Sequence, residues 1–194
     1  MLARNTTWTF SRDVDLKFEF VGVNYYDGQG FMAKADLGVS SATELDGATV
    51  CIQTGTTTEL NLADFFRSNN MSYEAVPVET GSEAVTNYLA GACDVFTTDR
   101  SALAARRANF EVPTDHVVLP EIVSKEPLGP LVRHGDNNWG DVVRWTLNAL
   151  ITAEELGVTS ANLEEMSKGT NNTEMIRLLG SEGNLGVMLG LDAE

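Results

Sequence analysis

The run Gln53-Thr54-Gly55-Thr56-Thr57-Thr58-Glu59 gathers hydroxyls, a glycine and a carboxylate between the apolar stretch Ala48 to Ile52 and the pattern Leu60, Leu62, Ala63, Phe65, Phe66. It reads as a strand that ends in a polar turn and opens a helix. Thr56 and Glu59 have the spacing of a capping box, which places the helix start near Thr56. The backbone N–H groups of that first turn favour negative charge, so a ligand's anion is expected to dock there. No lysine follows the threonines as a nucleotide P-loop requires, and the expected anion is a carboxylate rather than a polyphosphate. A capped helix with no ligand uses the same residues, and this turn by itself does not separate the two readings.

Three rounds of strand then helix position this turn. The first strand runs from Ala48 to Gln53, with a helix from Thr57 to about Ser68. The second, Tyr73 to Val78, contains Pro77, which suits an edge strand. Thr80 and Glu83 repeat the capping-box spacing before a short helix with Ala84, Val85, Tyr88 and Leu89 inward. The third strand, Cys93 to Thr98, runs into Asp99, a candidate N-cap for a helix from Ser101 to Asn109. Such a βαβαβα order predicts a mostly parallel sheet with right-handed crossovers. Ligands bind beyond the carboxyl ends of such strands, the edge that carries Thr56, Thr57, Thr80 and Asp99.

Outside the block, Phe18 to Met32 and His116 to Val132 are extended and rich in Gly and Pro, and read as two crossings between lobes. Val142, Val143, Trp145, Leu147, Leu150 and Ile151 predict a long amphipathic helix from Trp139 to Leu156, followed by short helices over Ser160 to Ser167 and Asn172 to Leu179. The 194 residues, 43% of them hydrophobic, are enough for a substantial core. A formal charge of −15, from 13 basic and 28 acidic residues, argues against nucleic acid and anionic membranes as partners. No apolar run approaches the ~20 residues of a membrane span, and Met1 to Trp8 lack signal-peptide features. His116 and His134 have no metal-ligand partners at suitable spacing, and Gly28-Gln29-Gly30 lacks the third glycine of a dinucleotide fingerprint. No cofactor or metal is expected.

Five ordered segments, Ala3 to Asp13, Val23 to Phe31, Gln53 to Leu60, Cys93 to Asp99 and Val117 to Pro130, closely resemble the general L-amino-acid-binding proteins of bacterial ABC uptake systems, type II periplasmic solute-binding proteins. The resemblance implies an α/β protein with a complete lobe 2, the Rossmann-like βαβαβα unit, and a partial lobe 1. The implied division is residues 1–22 as a lobe 1 remnant, 23–32 as the first hinge crossing and 33–115 as lobe 2. Residues 116–135 form the second crossing and 136–194 the C-terminal helices on the lobe 1 side. It further implies a chain truncated at both ends, a periplasmic location, an L-amino-acid ligand and an ABC permease as partner. An incomplete lobe 1 would leave apolar residues such as Trp8, Phe10, Phe18, Phe20, Val143, Trp145, Leu147 and Ile151 facing water or a second copy.

The resemblance also implies roles. Arg12 matches the arginine that grips the ligand's α-carboxylate with two parallel N–H donors. Asn5 and Thr7 match nearby polar groups that hydrogen-bond the ligand, and Thr56 or Thr57 would offer a hydroxyl and a backbone N–H to the same carboxylate. Asp99 matches the acid that pairs with the α-ammonium, and Thr80 a position touching the ligand side chain. Cys51 and Cys93 would lie on neighbouring strands if the first strand sits beside the third, and a disulfide fits the periplasm, whereas two buried thiols would fit a cytosolic core. The expected function is binding, not catalysis. The fold also serves amino-acid dehydratases of the cyclohexadienyl or arogenate type and the effector domains of transcription regulators, so both stay open as alternatives.

Overall fold

The computed structural model describes residues 1–192. In chain order its strands are β1 (Phe18–Phe20), β2 (Tyr25–Asp27), β3 (Gln29–Lys34), β4 (Ala48–Gln53), β5 (Tyr73–Val78), β6 (Val95–Asp99), β7 (His116–Val118), β8 (Glu126–Leu128) and β9 (Leu131–Arg133). Its helices are α1 (Thr57–Ser68), α2 (Gly81–Leu89), α3 (Arg100–Ala108), α4 (Asn137–Glu155), α5 (Leu163–Gly169), α6 (Thr173–Leu178) and α7 (Leu185–Met188). The chain divides into two units, one made of Met1–Asn24 with everything from Leu128 onward, the other of Tyr25–Pro127.

In the unit Tyr25–Pro127 a five-stranded sheet has the order β5-β4-β6-β3-β7. β4 pairs in parallel with β5 along its whole length and with β6 through Val50↔Val95 and Cys51↔Phe96. Pro77 sits on the edge strand β5, where its missing N–H breaks no ladder on the open side. The sheet departs from the mostly parallel arrangement expected, because β3 runs antiparallel to both β6 and β7. Residues 29–32 are therefore part of this sheet. Phe31, Met32 and Ala33 are all fully buried, so β3 is covered on both faces and shows none of the alternation that marks a half-exposed strand.

Period-2 alternation splits these strands between two cores. Val50 and Ile52 of β4, Phe31 and Ala33 of β3 and Val95 of β6 join Leu62 and Phe66 of α1 on one face. Cys51, Met32 and Phe96 point to the other, against Ala84 and Tyr88 of α2 and Leu103 of α3. Leu89, expected inward, is instead exposed, because the i, i+4 pair Ala84 and Tyr88 already fills the buried stripe. Helix α3 starts at Arg100, one residue before the expected Ser101. A disulfide joins Cys51 to Cys93 with Cα atoms 5.6 Å apart. Cys93 lies two residues before β6 rather than within it, so the bond ties the middle of β4 to the turn that feeds its neighbour.

The second core also contains a titrating pair. The Tyr88 hydroxyl and His116 Nδ1 are hydrogen-bonded at 2.8 Å, and Phe110 packs edge-on against the imidazole with ring centroids 4.6 Å apart. Burial holds the His116 pKa below its usual value, with Asp115 and Asp36 opposing and Lys34 and Arg107 reinforcing the shift. The unfolded chain therefore binds this proton more readily than the native one. Stability is fully present above the ordinary histidine range and falls on acidification, by at most about 1.4 kcal/mol per pH unit below about pH 6.5. Urea denaturation of wild type and His116→Gln at pH 7.5 and 5.5 measures this: the histidine-linked loss is expected only in the wild type, and equal losses in both would show that other groups carry it.

In the other unit β1 pairs antiparallel with β9, from Phe18↔Arg133 to Phe20↔Leu131, and Val21, Val132 and Val143 form a small core. Arg144 of α4 reaches Glu19 of β1 at 3.0 Å, beneath Gly140, where a Cβ would lie 3.3 Å from the same carboxylate. Phe20 and Val143, expected to face water or a second copy, are buried within this unit, whereas Phe10 (77%), Trp145 (56%) and Leu150 (65%) are exposed. Helix α5 begins at Leu163 rather than Ser160, after a turn closed by Asn162 Oδ1 accepting from the Thr159 N–H at 2.7 Å. Residues 193 and 194 of the expected C-terminal segment lie outside the described residues. Among the described residues no helix is long and apolar enough to cross a membrane.

Candidate functional site

Because β4, β5 and β6 are parallel, the residues that follow them share one edge of the sheet: Thr56 to Thr58, Thr80 and Asp99. Thr56 caps α1, its Oγ1 accepting from the Glu59 N–H at 3.3 Å while lying 2.7 Å from the Gln53 carbonyl, to which it donates. Glu59 completes the turn by accepting from the Gly55 N–H at 2.9 Å rather than from the cap residue itself. The Thr56 hydroxyl is thus engaged in holding the turn. Thr80 repeats the device on α2: its Oγ1 accepts from Glu83 N at 3.2 Å, and Glu83 accepts from Glu79 N at 3.1 Å. Thr80 is exposed.

Asp99 ends β6, is 7% exposed, and pairs in register with Gln29 of β3. It occupies the N-cap position of α3 but makes no capping hydrogen bond with its side chain. Asp27 takes that role from a distance in sequence: its Oδ2 accepts from both the N–H and the hydroxyl of Ser101, and the Arg100 N–H donates to the Gly28 carbonyl at 2.9 Å. The plain N-cap alternative for Asp99 does not hold in this respect.

A buried acid that sequence reasoning missed stands beside the α1 start. Glu126 is 2% exposed, and its Oε2 accepts from the Thr57 hydroxyl at 3.1 Å while Oε1 accepts from Asn61 Nδ2 at 2.8 Å and Ser124 Oγ at 2.5 Å. Three donors compensate the burial of a group that is otherwise costly to remove from water. Its only signal in the sequence was its place within Val117 to Pro130, where one acid among apolar residues, Ser and Pro has no marking periodicity. Gln29, fully buried next to this group, donates from Nε2 to the Thr58 carbonyl at 3.0 Å and to Thr97 Oγ1 at 2.9 Å.

Asn5, Thr7 and Arg12 lie in the other unit. Arg12 lies on a π-helical turn, Ser11–Asp15, a local geometry that often marks functional segments. Its Nη1 donates to the Thr7 carbonyl at 2.9 Å, so these two candidates are brought together, and Thr7 is buried. Trp8 pins the same segment: its Nε1 donates to Asp13 at 2.6 Å and its indole stacks on Phe20 with centroids 5.4 Å apart. Asn5 is exposed. Among the described residues no cluster of three or more His, Cys, Asp or Glu is arranged to hold a metal ion.

No protein-family model matches the chain. The glutamate/glutamine/aspartate/asparagine-binding protein BztA of Rhodobacter capsulatus is 62% identical over 192 residues, 99% of this chain and 57% of its own length. The general L-amino acid-binding periplasmic protein AapJ of Rhizobium johnstonii is 54% identical over 193 residues, 98% of this chain and 56% of its own. Over almost its whole length this chain is similar to amino-acid-binding proteins, one of them named as periplasmic. It spans little more than half the length of these curated relatives. A solved structure, an ABC transporter periplasmic binding protein of Brucella ovis with glutathione bound, superposes with a TM-score of 0.93 at 55% identity, covering 98% of this chain and 60% of that one. The α/β sheet described above is that of the type II periplasmic-binding-protein fold.

Proposed function

We propose that this chain belongs to the solute-binding component of an ABC transporter, which captures a free L-amino acid in the periplasm and hands it to a membrane permease. The observation that carries the reading is the shared edge of the parallel strands β4, β5 and β6, where the nearly buried carboxylate of Asp99 stands with the capped start of α1. A carboxylate held in this way suits a ligand's α-ammonium. Arg12 is assigned to the α-carboxylate with the backbone N–H groups at the start of α1, and Asn5, Thr7, Thr57 and Thr80 to further polar contacts. Thr56 acts through the turn it caps. The unit Tyr25–Pro127 corresponds in this reading to lobe 2. Binding leaves the ligand chemically unchanged, and neither curated relative is named for a dehydratase or a transcription regulator.

The relatives guide the choice of ligand. BztA is named for glutamate, glutamine, aspartate and asparagine, and the Brucella structure holds glutathione, whose γ-glutamyl end carries a free α-ammonium and α-carboxylate like those of glutamate. Calorimetric titration with these four amino acids and glutathione tests the reading. Arg12→Ala and Asp99→Asn are each expected to weaken binding at least tenfold, about 1.4 kcal/mol, because each leaves one ligand charge uncompensated in a partly dehydrated site. Unchanged affinity in both variants would move the site elsewhere. Self-association through the exposed apolar residues Trp145, Leu150 and Met188 is the remaining element of the proposal. Light scattering over a range of concentrations is expected to show a dimer, and a strict monomer would remove it.

A further inference from the structure

Gln29 is fully buried and joins the two elements that end at the candidate site. Its register partner is Asp99, and Thr97 lies two residues back along β6, so period-2 alternation puts all three side chains on the face of the sheet that packs on α1. From that face Gln29 Nε2 donates to the Thr58 carbonyl in the first turn of α1 at 3.0 Å and to Thr97 Oγ1 at 2.9 Å. Both partners are already engaged. Thr58 belongs to α1, where a carbonyl takes the N–H four residues on, and the Thr97 hydroxyl gives its proton to the Gly30 carbonyl at 2.7 Å. Gln29 Oε1 is buried as well, and among the described residues no protein group donates to it. The amide thus adds second bonds to satisfied groups and leaves one acceptor of its own unmet, which is costly. An apolar side chain of the same length would avoid that cost, so packing and stability do not explain a glutamine here.

We propose that Gln29 is a positioning residue of the binding site: its amide sets the spacing between the start of α1 and the carboxylate of Asp99, and thereby the fit to a ligand's α-carboxylate and α-ammonium. The proposal rests on the amino-acid-binding reading and deepens it. The two charged groups of an amino acid sit on one carbon, so the protein groups that receive them must keep a matching separation. A single nitrogen with two protons bonds α1 and β6 at once, and neither element can move away from the other without losing a bond. Main-chain bonds anchor this end of β3 in turn: the Gln29 N–H donates to Ser124 Oγ at 3.2 Å, and the Val123 N–H to the Gln29 carbonyl at 3.0 Å.

Gln29→Met keeps the length of the side chain and removes the tie. The test is calorimetric titration with L-glutamate, L-glutamine, L-aspartate and L-asparagine, together with thermal melting of the unliganded protein. Because the variant also removes the unmet Oε1, its melting temperature is expected to stay within about 4 °C of wild type. Affinity is expected to fall at least tenfold, and alike for every one of the four that wild type binds, since they share the α-groups and differ only in side chain. A residue with a structural role alone would show the reverse, a lower melting temperature with affinity retained in the folded protein. Thr97→Val, which removes the β6 end of the tie, is expected to weaken binding at least threefold, and it decides the matter if Gln29→Met does not fold. A smaller loss in the folded variants, or a loss confined to some of the four ligands, overturns the role of Gln29 and leaves amino-acid binding intact. Failure of wild type to bind any of the four overturns the functional reading and this inference with it.

Discussion

Replacing Cys51 and Cys93 by alanine lowers the stability of the fold by about 4 kcal/mol on the chain-entropy view of a cross-link. The bond closes a segment of 42 residues, and opening it restores that loop's freedom to the unfolded chain. Both half-cystines are buried, 0% and 2% exposed, so truncation also leaves small voids in the core shared with Tyr88, Phe96 and Leu103. The measurement is urea unfolding of the oxidised protein and the double variant, with intact mass after alkylation to establish the bond. Modification of both thiols without reductant would sink the prediction, as would superimposable unfolding curves.

Gly129→Ala is expected to cost about 3 kcal/mol, at the upper end of overpacking penalties, because its new Cβ meets main chain rather than an adjustable side chain. At Gly129 a Cβ would lie 1.9 Å from the Gly22 carbonyl oxygen and 3.4 Å from the Val23 Cα. Hydrogen bonds on either side, Val21 N–H to Pro130 O at 3.0 Å and Asn24 N–H to Leu128 O at 2.9 Å, keep the two segments from separating. Relief of the clash must break these bonds, which adds their loss to the strain. Thermal and urea melts of the variant give the number, and a change below about 0.5 kcal/mol would mean that the segments part at little cost.

What the sequence by itself determined is what local chemistry dictates. Thr56 with Glu59 and Thr80 with Glu83 mark helix starts because a side-chain oxygen three residues before an N–H has one favourable geometry, and both caps form. Parallel pairing of β4 with β5 and β6 follows from βα alternation, which also brings Cys51 and Cys93 together. Only the tertiary structure decided the rest. β3 joins the sheet antiparallel through Phe31, Met32 and Ala33, whose burial on both faces removes the alternation that would have announced a strand. Asp27 caps α3 across 74 positions, and Glu126 reaches Thr57 across 69. Contacts of that range leave no periodic or spacing signal. A carboxylate's donors depend on which strands the sheet brings beside it, and so the pairing of Thr57 with Glu126 was legible only once the chain had folded.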